Sequence, residues 1–324
     1  MCAFTALSHV FQKINGVIQM YLRRLKDIVS GLLLQVVAVL SSIIILFIAI
    51  LLYWRAKPIL DTKSLSELFL GMHWMPSQGD FGFLPSILGT LYVTMLAMII
   101  AIPLSVLSAI YIAEYAKESV RSKILPLVDL LAGIPPVVYG VWGVLVVVPT
   151  VAYIAPIIGK LGIIGVSNYS TGFSLLSGGI VLAIMVFPII ISITVQVLKT
   201  VPFEVRETSF SLGATRWQTI KHAVMRLALP GIVAAIILGF SRAFGETMAV
   251  LMVVGNVFSI PTSIFGPAYP LTALIANNYG EMMSIPLYDS ALLLAALILM
   301  FVILSSTVVA RLVLIRLEKR MIYG

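Results

Sequence analysis

The sequence has few charged residues. Asp, Glu, Lys and Arg together make up 10% of its 324 residues, whereas soluble domains carry about 25%. Hydrophobic residues make up 60%, and the mean hydropathy is +1.11. This composition predicts an all-α integral membrane protein, because hydrocarbon requires every backbone polar group to be paired within the chain.

Cysteine and histidine are also scarce. Cys2 is the single cysteine, which excludes an internal disulfide and a cysteine metal cluster. The three histidines, His9, His73 and His222, lie too far apart in the sequence to suggest a metal site and are interpreted as polar loop or interface residues. We therefore expect no metal and no cofactor.

The sequence lacks a Gly-x-x-x-x-Gly-Lys-Ser/Thr loop, the backbone cradle that holds the phosphates of ATP. The chain is therefore expected not to hydrolyse ATP and not to be an enzyme. Its net charge of +8 does not indicate nucleic-acid binding, because the basic residues mark one face of the membrane.

Hydropathy predicts six transmembrane helices. The first covers 30–54 and follows residues 1–29, where apolar side chains recur every three or four positions and predict a cytoplasmic amphipathic helix, with an unstructured tail as the alternative. Residues 55–85 are predicted to form an extracytoplasmic loop, and 316–324 a cytoplasmic tail. The other five spans are predicted at 86–113, 125–153, 173–198, 228–254 and 287–310.

The basic residues orient these spans. Most of the 21 Lys and Arg residues precede the first span, follow the last, or lie between spans two and three or four and five. By the positive-inside rule, both termini and the segment between spans four and five are predicted to be cytoplasmic.

The polar segment at 200–226, between spans four and five, cannot lie in hydrocarbon because of its charges. Thr200 is predicted to cap a short helix with Pro202 in its first turn, and Gly213 is predicted to be the left-handed residue that ends it. Thr215 is predicted to cap a second short helix. One face of this second helix is predicted to carry Trp217, Ile220 and Val224.

Arg242 is predicted to lie near the middle of the fifth span, with Glu246 one turn further along the same helix. An arginine at this depth costs about 2.5–3.5 kcal/mol on insertion scales, so its side chain is expected not to face lipid. Helical winding places both side chains on a face of small residues: Gly231, Ala235, Gly239, Ala243 and Ala249. The opposite face carries the bulky residues Val233, Ile237, Phe240, Phe244 and Leu251.

Two interpretations of this pair remain open. In the first, Arg242 and Glu246 form a structural salt bridge that fixes the helix register. In the second, Arg242 is a transient binding point for an anion, because a guanidinium offers oxyanions a planar fork of donors. Glu246 then offsets the arginine, so that the anion is held weakly enough to leave.

Two motifs resemble a known family. Glu207, Thr208, Ser209 and Gly213 resemble the E-A-A-x-x-x-G coupling loop of ABC importer permeases. The stretches SLGATRWQTIKHAV, ALPGI and FSRAFGETMAVLMVVGN resemble PstC-type permease subunits of phosphate importers. The resemblance covers roughly residues 86–315, the ABC transmembrane domain. Where the family usually has Leu-Pro, this chain has Met225-Arg226, so the resemblance does not fix the end of the second coupling helix.

The resemblance implies a six-helix MetI-like type I permease in the cell inner membrane. It also implies a second, PstA-like permease, a PstB-like ATPase dimer, an external PstS-like phosphate-binding protein and contact with membrane lipid. Arg242 and Glu246 would line the path of phosphate, and Glu246 would accept a hydrogen bond from protonated phosphate. Contact with the ATPase is implied for Glu207, Thr208, Ser209, Gly213, Ala214, Thr215, Arg216 and Trp217.

Other functions stay open at this stage. A permease for another oxyanion, such as sulfate or molybdate, or for a small solute would have the same architecture. An ion-gradient-driven carrier is disfavoured by the coupling segment, and a sensory membrane protein would act through its loops. Competition between phosphate and sulfate in an uptake assay separates the first alternatives.

Overall fold

The computed structural model describes residues 2–160, 171–281 and 284–323, and most of them are helical. Six helices in the described ranges are long and apolar enough to cross a membrane, as predicted. They are Lys26–Thr62, Leu84–Tyr115, Pro136–Ile158, Leu175–Thr200, Arg216–Phe244 and Tyr288–Val313. The chain divides into two compact units, one ending at Trp54 and one beginning at Arg55.

The N-terminal unit is part of one helix, α1 (Cys2–Thr62). The predicted boundary between an amphipathic helix at 1–29 and a span at 30–54 falls inside this helix, which is not interrupted there. The helix also continues past residue 54 to Thr62, so the first part of the predicted loop at 55–85 is helical.

The rest of that predicted loop is an ordered small structure. Helix α2 (Leu65–Leu70) is capped by Ser64, and strands β1 (Trp74–Met75) and β2 (Asp80–Phe81) pair antiparallel. The Trp74 ring lies 5.5 Å from Phe81 and 6.3 Å from Tyr288, centroid to centroid. This aromatic cluster packs the segment against the start of the last span.

The second span is α3 (Leu84–Ile110), which ends in a π-turn at Tyr111–Tyr115, and the fourth span is α7 (Leu175–Thr200). The two helices pack side by side. Gly178 lies against Val93 and Gly179 against Leu96, so α7 presents no side chain at its closest approach to α3.

The third span starts later than predicted. Residues 125–132 belong to a separate helix, α4 (Glu118–Ala132), and the span begins at Pro136 with α5 (Pro136–Trp142). Pro135 and Pro136 force the separation, because a residue before proline is disfavoured in the helical conformation. The span continues through a π-turn at Gly143–Val147 into α6 (Val148–Lys160). The span therefore continues past its predicted end at residue 153, and residues 161–170 lie outside the described part.

The remaining helices complete the second unit. They are α8 (Phe203–Ser211), α9 (Arg216–Thr219), α10 (Met225–Phe244), α11 (Met248–Val253), α12 (Leu271–Asn278) and α13 (Tyr288–Tyr323). The main core lies where α3, α7 and α11 meet, around Ala97, Val181, Leu182, Val186 and Val253, all of which are buried.

Candidate functional site

The coupling segment, residues 200–226, begins with α8. Pro202 takes the position just before this helix, without a side-chain cap bond, and not the first turn as predicted. Thr200 is the last residue of α7, and its hydroxyl donates to the Val197 carbonyl at 2.8 Å. The prediction that Thr200 caps the first coupling helix is therefore wrong. The hydroxyl bonds back to the preceding helical turn, as threonine side chains in helices commonly do.

The bend between the two coupling helices is built as predicted. Gly213 has a φ of +81°, the left-handed conformation that only glycine adopts without strain. Thr215 caps the second helix in a capping box: it accepts from the Gln218 amide at 3.4 Å, and the Gln218 side chain accepts from the Thr215 amide at 2.8 Å. Ala214 lies between them and is partly buried.

The second coupling helix continues into the fifth span without a break. From α9 the chain passes through a π-turn at Ile220–Val224 into α10, so the coupling helix and the fifth span form one helix from Arg216 to Phe244. Ile220 and Val224 are buried, but Trp217 is 49% exposed. The predicted common face is thus wrong for Trp217, which lies in the first turn, beyond the apolar cluster that covers the other two.

The coupling segment exposes a set of large apolar side chains. Helix α8 has no buried residue, and Leu212 at the bend is 84% exposed. The exposed apolar residues are Phe203, Phe210, Leu212 and Trp217. On an element too polar for hydrocarbon, such a set is typical of a surface that another protein covers.

The three residues of the E-A-A-like motif have different surroundings. Glu207 and Thr208 are exposed, and the Thr208 hydroxyl donates to Glu204 of its own helix at 2.8 Å. Ser209 is partly buried, and its hydroxyl lies 2.9 Å from that of Thr219, which ties α8 to α9. Glu207 and Thr208 are therefore free for a partner, while Ser209 holds the coupling segment together.

The fifth span breaks between Arg242 and Glu246. Helix α10 ends at Phe244, and α11 starts at Met248, so Glu246 does not lie one turn further along the same helix, as the sequence predicted. A Glu246 carboxylate oxygen accepts from the Ala249 amide at 3.3 Å, and its carbonyl accepts from the Thr272 hydroxyl at 3.1 Å. These bonds replace the intrahelical bonds that a continuous helix would make.

Arg242 and Glu246 do not form an ion pair. The ion pairs among the described residues involve Lys63, Arg121 and Arg206 as the cations, and Arg242 is not one of them. Arg242 is exposed in this single subunit, and Glu246 is 7% exposed. The interpretation of the pair as a structural salt bridge is therefore not supported, and the guanidinium is left available to another group.

The small-residue face of the fifth span is a packing seam. Gly239 lies against Val186 and Ile190 of α7, Ala235 is fully buried, and Arg242 is off this seam. Phe244, predicted on the opposite bulky face, is buried and lies 4.7 Å from Phe240, centroid to centroid. The predicted face correctly groups residues that permit close helix packing, but it does not line an opening together with Arg242.

Gly239→Ala is expected to destabilise the protein. A Cβ at Gly239 would lie 2.7 Å from Ile190 Cγ1, and the overpacking should lower the free energy of unfolding by about 1–3 kcal/mol. Gly31→Ala is the matched control, because its Cβ meets nothing within 4 Å and alanine favours helix over glycine. Thermal unfolding in detergent measures both, and an unchanged midpoint for Gly239→Ala would contradict the tight seam.

A cluster of charged side chains at the end of α3 was not predicted from the sequence. Arg206 of α8 pairs with Glu114 in the π-turn at the end of α3, at 2.6 Å from Nη2 to Oε1. The Arg216 guanidinium donates to the Glu114 carbonyl and lies 4.6 Å from the centre of the Tyr115 ring. The only signal in the sequence is an acidic residue, Glu114, directly after the predicted end of the second span at residue 113.

The coupling segment and the end of α3 also enclose a cavity of about 1000 Å³. Its lining includes both charged and apolar side chains, among them Glu114, Lys199, Arg206, Phe203 and Phe210. Phe203 and Phe210, two of the exposed apolar residues of the coupling segment, belong to this lining.

The amino-acid sequence of the chain is similar to those of known membrane transport proteins. Residues 101–322 match the family described as Binding-protein-dependent transport system inner membrane component. The chain is 36% identical to the phosphate transport system permease protein PstC of Xylella fastidiosa over 301 residues, which cover 91% of this chain and 92% of that protein. It is 35% identical to the protein of the same name from Mesorhizobium japonicum, with the same shares covered.

Solved structures show a similar fold. An inward-facing form of the MetNI methionine ABC transporter aligns with a TM-score of 0.50 at 17% identity, over 77% of this chain and 99% of that one. A bacterial ABC transporter for the import of alginate aligns with a TM-score of 0.50 at 18% identity, over 72% of this chain and 79% of that one. At these identities the similarity supports the fold alone.

Proposed function

Because the chain belongs to the family of binding-protein-dependent transport system inner membrane components, and is therefore a permease subunit and not an enzyme, we propose that its substrate is phosphate. We further propose that phosphate contacts Arg242 on its way across the membrane. The observation that carries the proposal is an exposed guanidinium without an ion-pair partner among the described residues, next to a break in a membrane-spanning helix.

The relatives support phosphate as the substrate. Proteins named as phosphate transport permeases match at 35–36% identity over more than nine-tenths of both chains. The permanent positive charge of Arg242 beside the break suits an oxyanion such as phosphate. The alternative substrates are sulfate, molybdate or another small solute. Competition with phosphate in an uptake assay tests them.

The position of Arg242 along its helix supports a role in transport. Arg226 and Arg242 are about 24 Å apart along the helix axis at 1.5 Å per residue. If Arg226 marks the cytoplasmic surface, Arg242 lies inside a hydrocarbon layer about 30 Å thick, past its middle and toward the external side. Charged side chains within membrane-spanning segments almost always face the bundle interior or a water-filled cavity, so Arg242 is expected to face a second permease subunit across the translocation path.

The break beside Arg242 is the second supporting feature. Transporters commonly bind their substrates where a membrane helix is interrupted, because the interruption exposes backbone groups to a cavity instead of lipid. Here the break at 245–247 places Arg242 in the last turn of α10 and Glu246 at the entrance to α11. Phosphate does not have to displace a carboxylate from the guanidinium in order to bind.

Glu246 is proposed to distinguish phosphate from sulfate by accepting a hydrogen bond from the phosphate hydroxyl. One of its oxygens accepts the Ala249 amide, which leaves acceptor capacity on the carboxylate. Monoprotonated phosphate can donate a hydrogen bond to it, whereas fully ionised sulfate cannot. Glu246 would therefore favour phosphate over sulfate while Arg242 attracts both.

An ABC permease works with an ATPase and with other subunits. For this chain we propose two copies of a cytoplasmic ATPase, a second permease and an external phosphate-binding protein. The ATPase would cover the exposed apolar side chains of the coupling segment, near Glu207 and Thr208. Because that segment continues into α10, a displacement by the ATPase would be passed along one helix to Arg242.

The protein is a multi-pass protein of the inner membrane, and we propose that both termini and the coupling segment are cytoplasmic. In a Cys2→Ser background, Leu212→Cys should react with a membrane-impermeant maleimide only in inside-out vesicles. Leu65→Cys, exposed on α2, should react only in right-side-out vesicles. The opposite labelling pattern would reverse the orientation and overturn the proposed docking side.

Uptake of labelled phosphate tests the function directly. Vesicles that contain this chain, its partner subunits and internal ATP should accumulate phosphate, and vesicles without ATP should not. Excess sulfate or molybdate should leave the uptake unchanged. Uptake that persists without the ATPase would instead indicate an ion-gradient-driven carrier.

A further inference from the structure

We propose that Glu114 is a positioning residue that ties the coupling segment to the α3–α7 helix pair, so that both move as one body when the ATPase acts. The inference rests on the proposed function, because it assumes an ATPase that displaces the coupling segment. Glu114 itself would touch neither phosphate nor ATP.

Glu114 and Arg206 form a two-point contact. Arg206 Nη2 donates to Oε1 at 2.6 Å, and Nε donates to Oε2 at 3.3 Å. Only 10% of the Glu114 side chain and 15% of the Arg206 side chain are exposed. A guanidinium that binds both oxygens of a shielded carboxylate fixes orientation as well as distance.

Arg206 also holds the turn between α7 and α8. Its guanidinium donates to the carbonyls of Leu198, Val201 and Pro202 at 3.1, 2.9 and 3.4 Å. Through this one side chain, the end of α7, the start of α8 and the end of α3 are connected. The fourth span and the coupling segment thus share an anchor at the end of the second span.

Two further arginines bind the backbone at the same point. Arg216, the first residue of α9, donates to the Glu114 carbonyl, and Arg121 of α4 donates to the carbonyls of Ile112 and Ala113 at 2.9 and 2.6 Å. The last carbonyls of a helix lack intrahelical partners, so these contacts replace water at the end of the second span.

The connectivity explains why this contact matters for coupling. The chain itself joins the coupling segment to the fourth and fifth spans, but only noncovalent contacts join it to the second. Apolar contacts exist there too, around Ile110, Val201 and Ile220, but they are non-directional. The Glu114–Arg206 pair sets a fixed geometry between the surface that an ATPase would push and the α3–α7 pair.

Glu114→Gln removes the charge and keeps the size of the side chain. It should lower the phosphate transported per ATP hydrolysed by about tenfold, since one member of a shielded ion pair is lost. ATPase association and ATP hydrolysis should persist. Glu114→Asp, which keeps the charge, should recover part of the transport. Glu118→Gln is the matched control, because Glu118 pairs with Arg121 at 3.1 Å but is largely exposed.

A purely structural role would give a different result. It would reduce the amount of assembled complex, so that transport and ATP hydrolysis fall in proportion and their ratio stays at the wild-type value. Either that unchanged ratio or full wild-type transport by Glu114→Gln would overturn the proposal.

A distance measurement tests the proposal without phosphate and without the Glu114→Gln variant. Spin labels at Lys221→Cys and Tyr111→Cys, in a Cys2→Ser background, report on the coupling segment and the end of α3, and both positions are exposed. In the assembled complex the distance between the labels should be the same with and without ATP. A shift on ATP binding would overturn the common motion even if phosphate is the substrate, and an absence of phosphate uptake would leave the measurement valid.

Discussion

Arg242→Ala is expected to reduce phosphate uptake by about 100-fold or more, because the charged hydrogen bonds that a guanidinium gives to an oxyanion are lost. The ATPase should still associate with the variant, since Arg242 is far along the helix from the coupling segment. The rate of uptake of labelled phosphate into ATP-loaded vesicles measures the effect. The amount of ATPase that copurifies reports on assembly.

Two further variants sharpen this experiment. Arg242→Lys keeps the charge but not the planar fork, so its uptake should lie between those of the wild type and Arg242→Ala. Arg311→Ala removes an exposed cation from α13 and should transport normally. Wild-type uptake by Arg242→Ala would exclude this residue from the path of phosphate.

Leu212→Asp is expected to abolish docking of the ATPase. Leu212 lies at the tip of the bend and is 84% exposed, so the substitution should cost the free subunit little. In a protein interface, however, a charge in place of a central apolar side chain should weaken binding by about 2–4 kcal/mol, the range of interface hot spots. Copurification of the ATPase and phosphate-stimulated ATP hydrolysis should both be lost.

Leu65→Asp provides the matched control. Leu65 is 61% exposed on α2, in the segment proposed to be extracytoplasmic. The variant should bind the ATPase as the wild type does. If Leu212→Asp also copurifies with the ATPase in the normal amount, the coupling segment docks through a different surface.

The features that the sequence predicted correctly depend on local chemistry. Six apolar stretches of sufficient length predict six spans in any membrane protein. Gly213 and Thr215 could be assigned because a left-handed glycine and a threonine cap are decided by a few neighbouring residues. The family motifs were equally local, since they lie in one continuous stretch around the coupling segment.

The errors arose where distant residues decide the structure. Glu246 lies outside the fifth helix, and its carbonyl bonds to Thr272, a residue on another element. The small-residue stripe around Gly239 packs closely, as predicted, but Arg242 lies off it, which only the packing of two spans could show. The Glu114–Arg206 contact joins residues 92 positions apart, and no spacing rule reaches that far.

The helix that begins at Arg216 runs without interruption to Phe244, with Arg242 near its far end. Arg216 and Arg242 are about 39 Å apart along its axis. A stiff rod of this length acts as a lever, and a tilt of about ten degrees at one end moves the other by roughly 7 Å. A small rotation of the proposed ATPase would therefore carry the positive charge through more than the width of a phosphate ion.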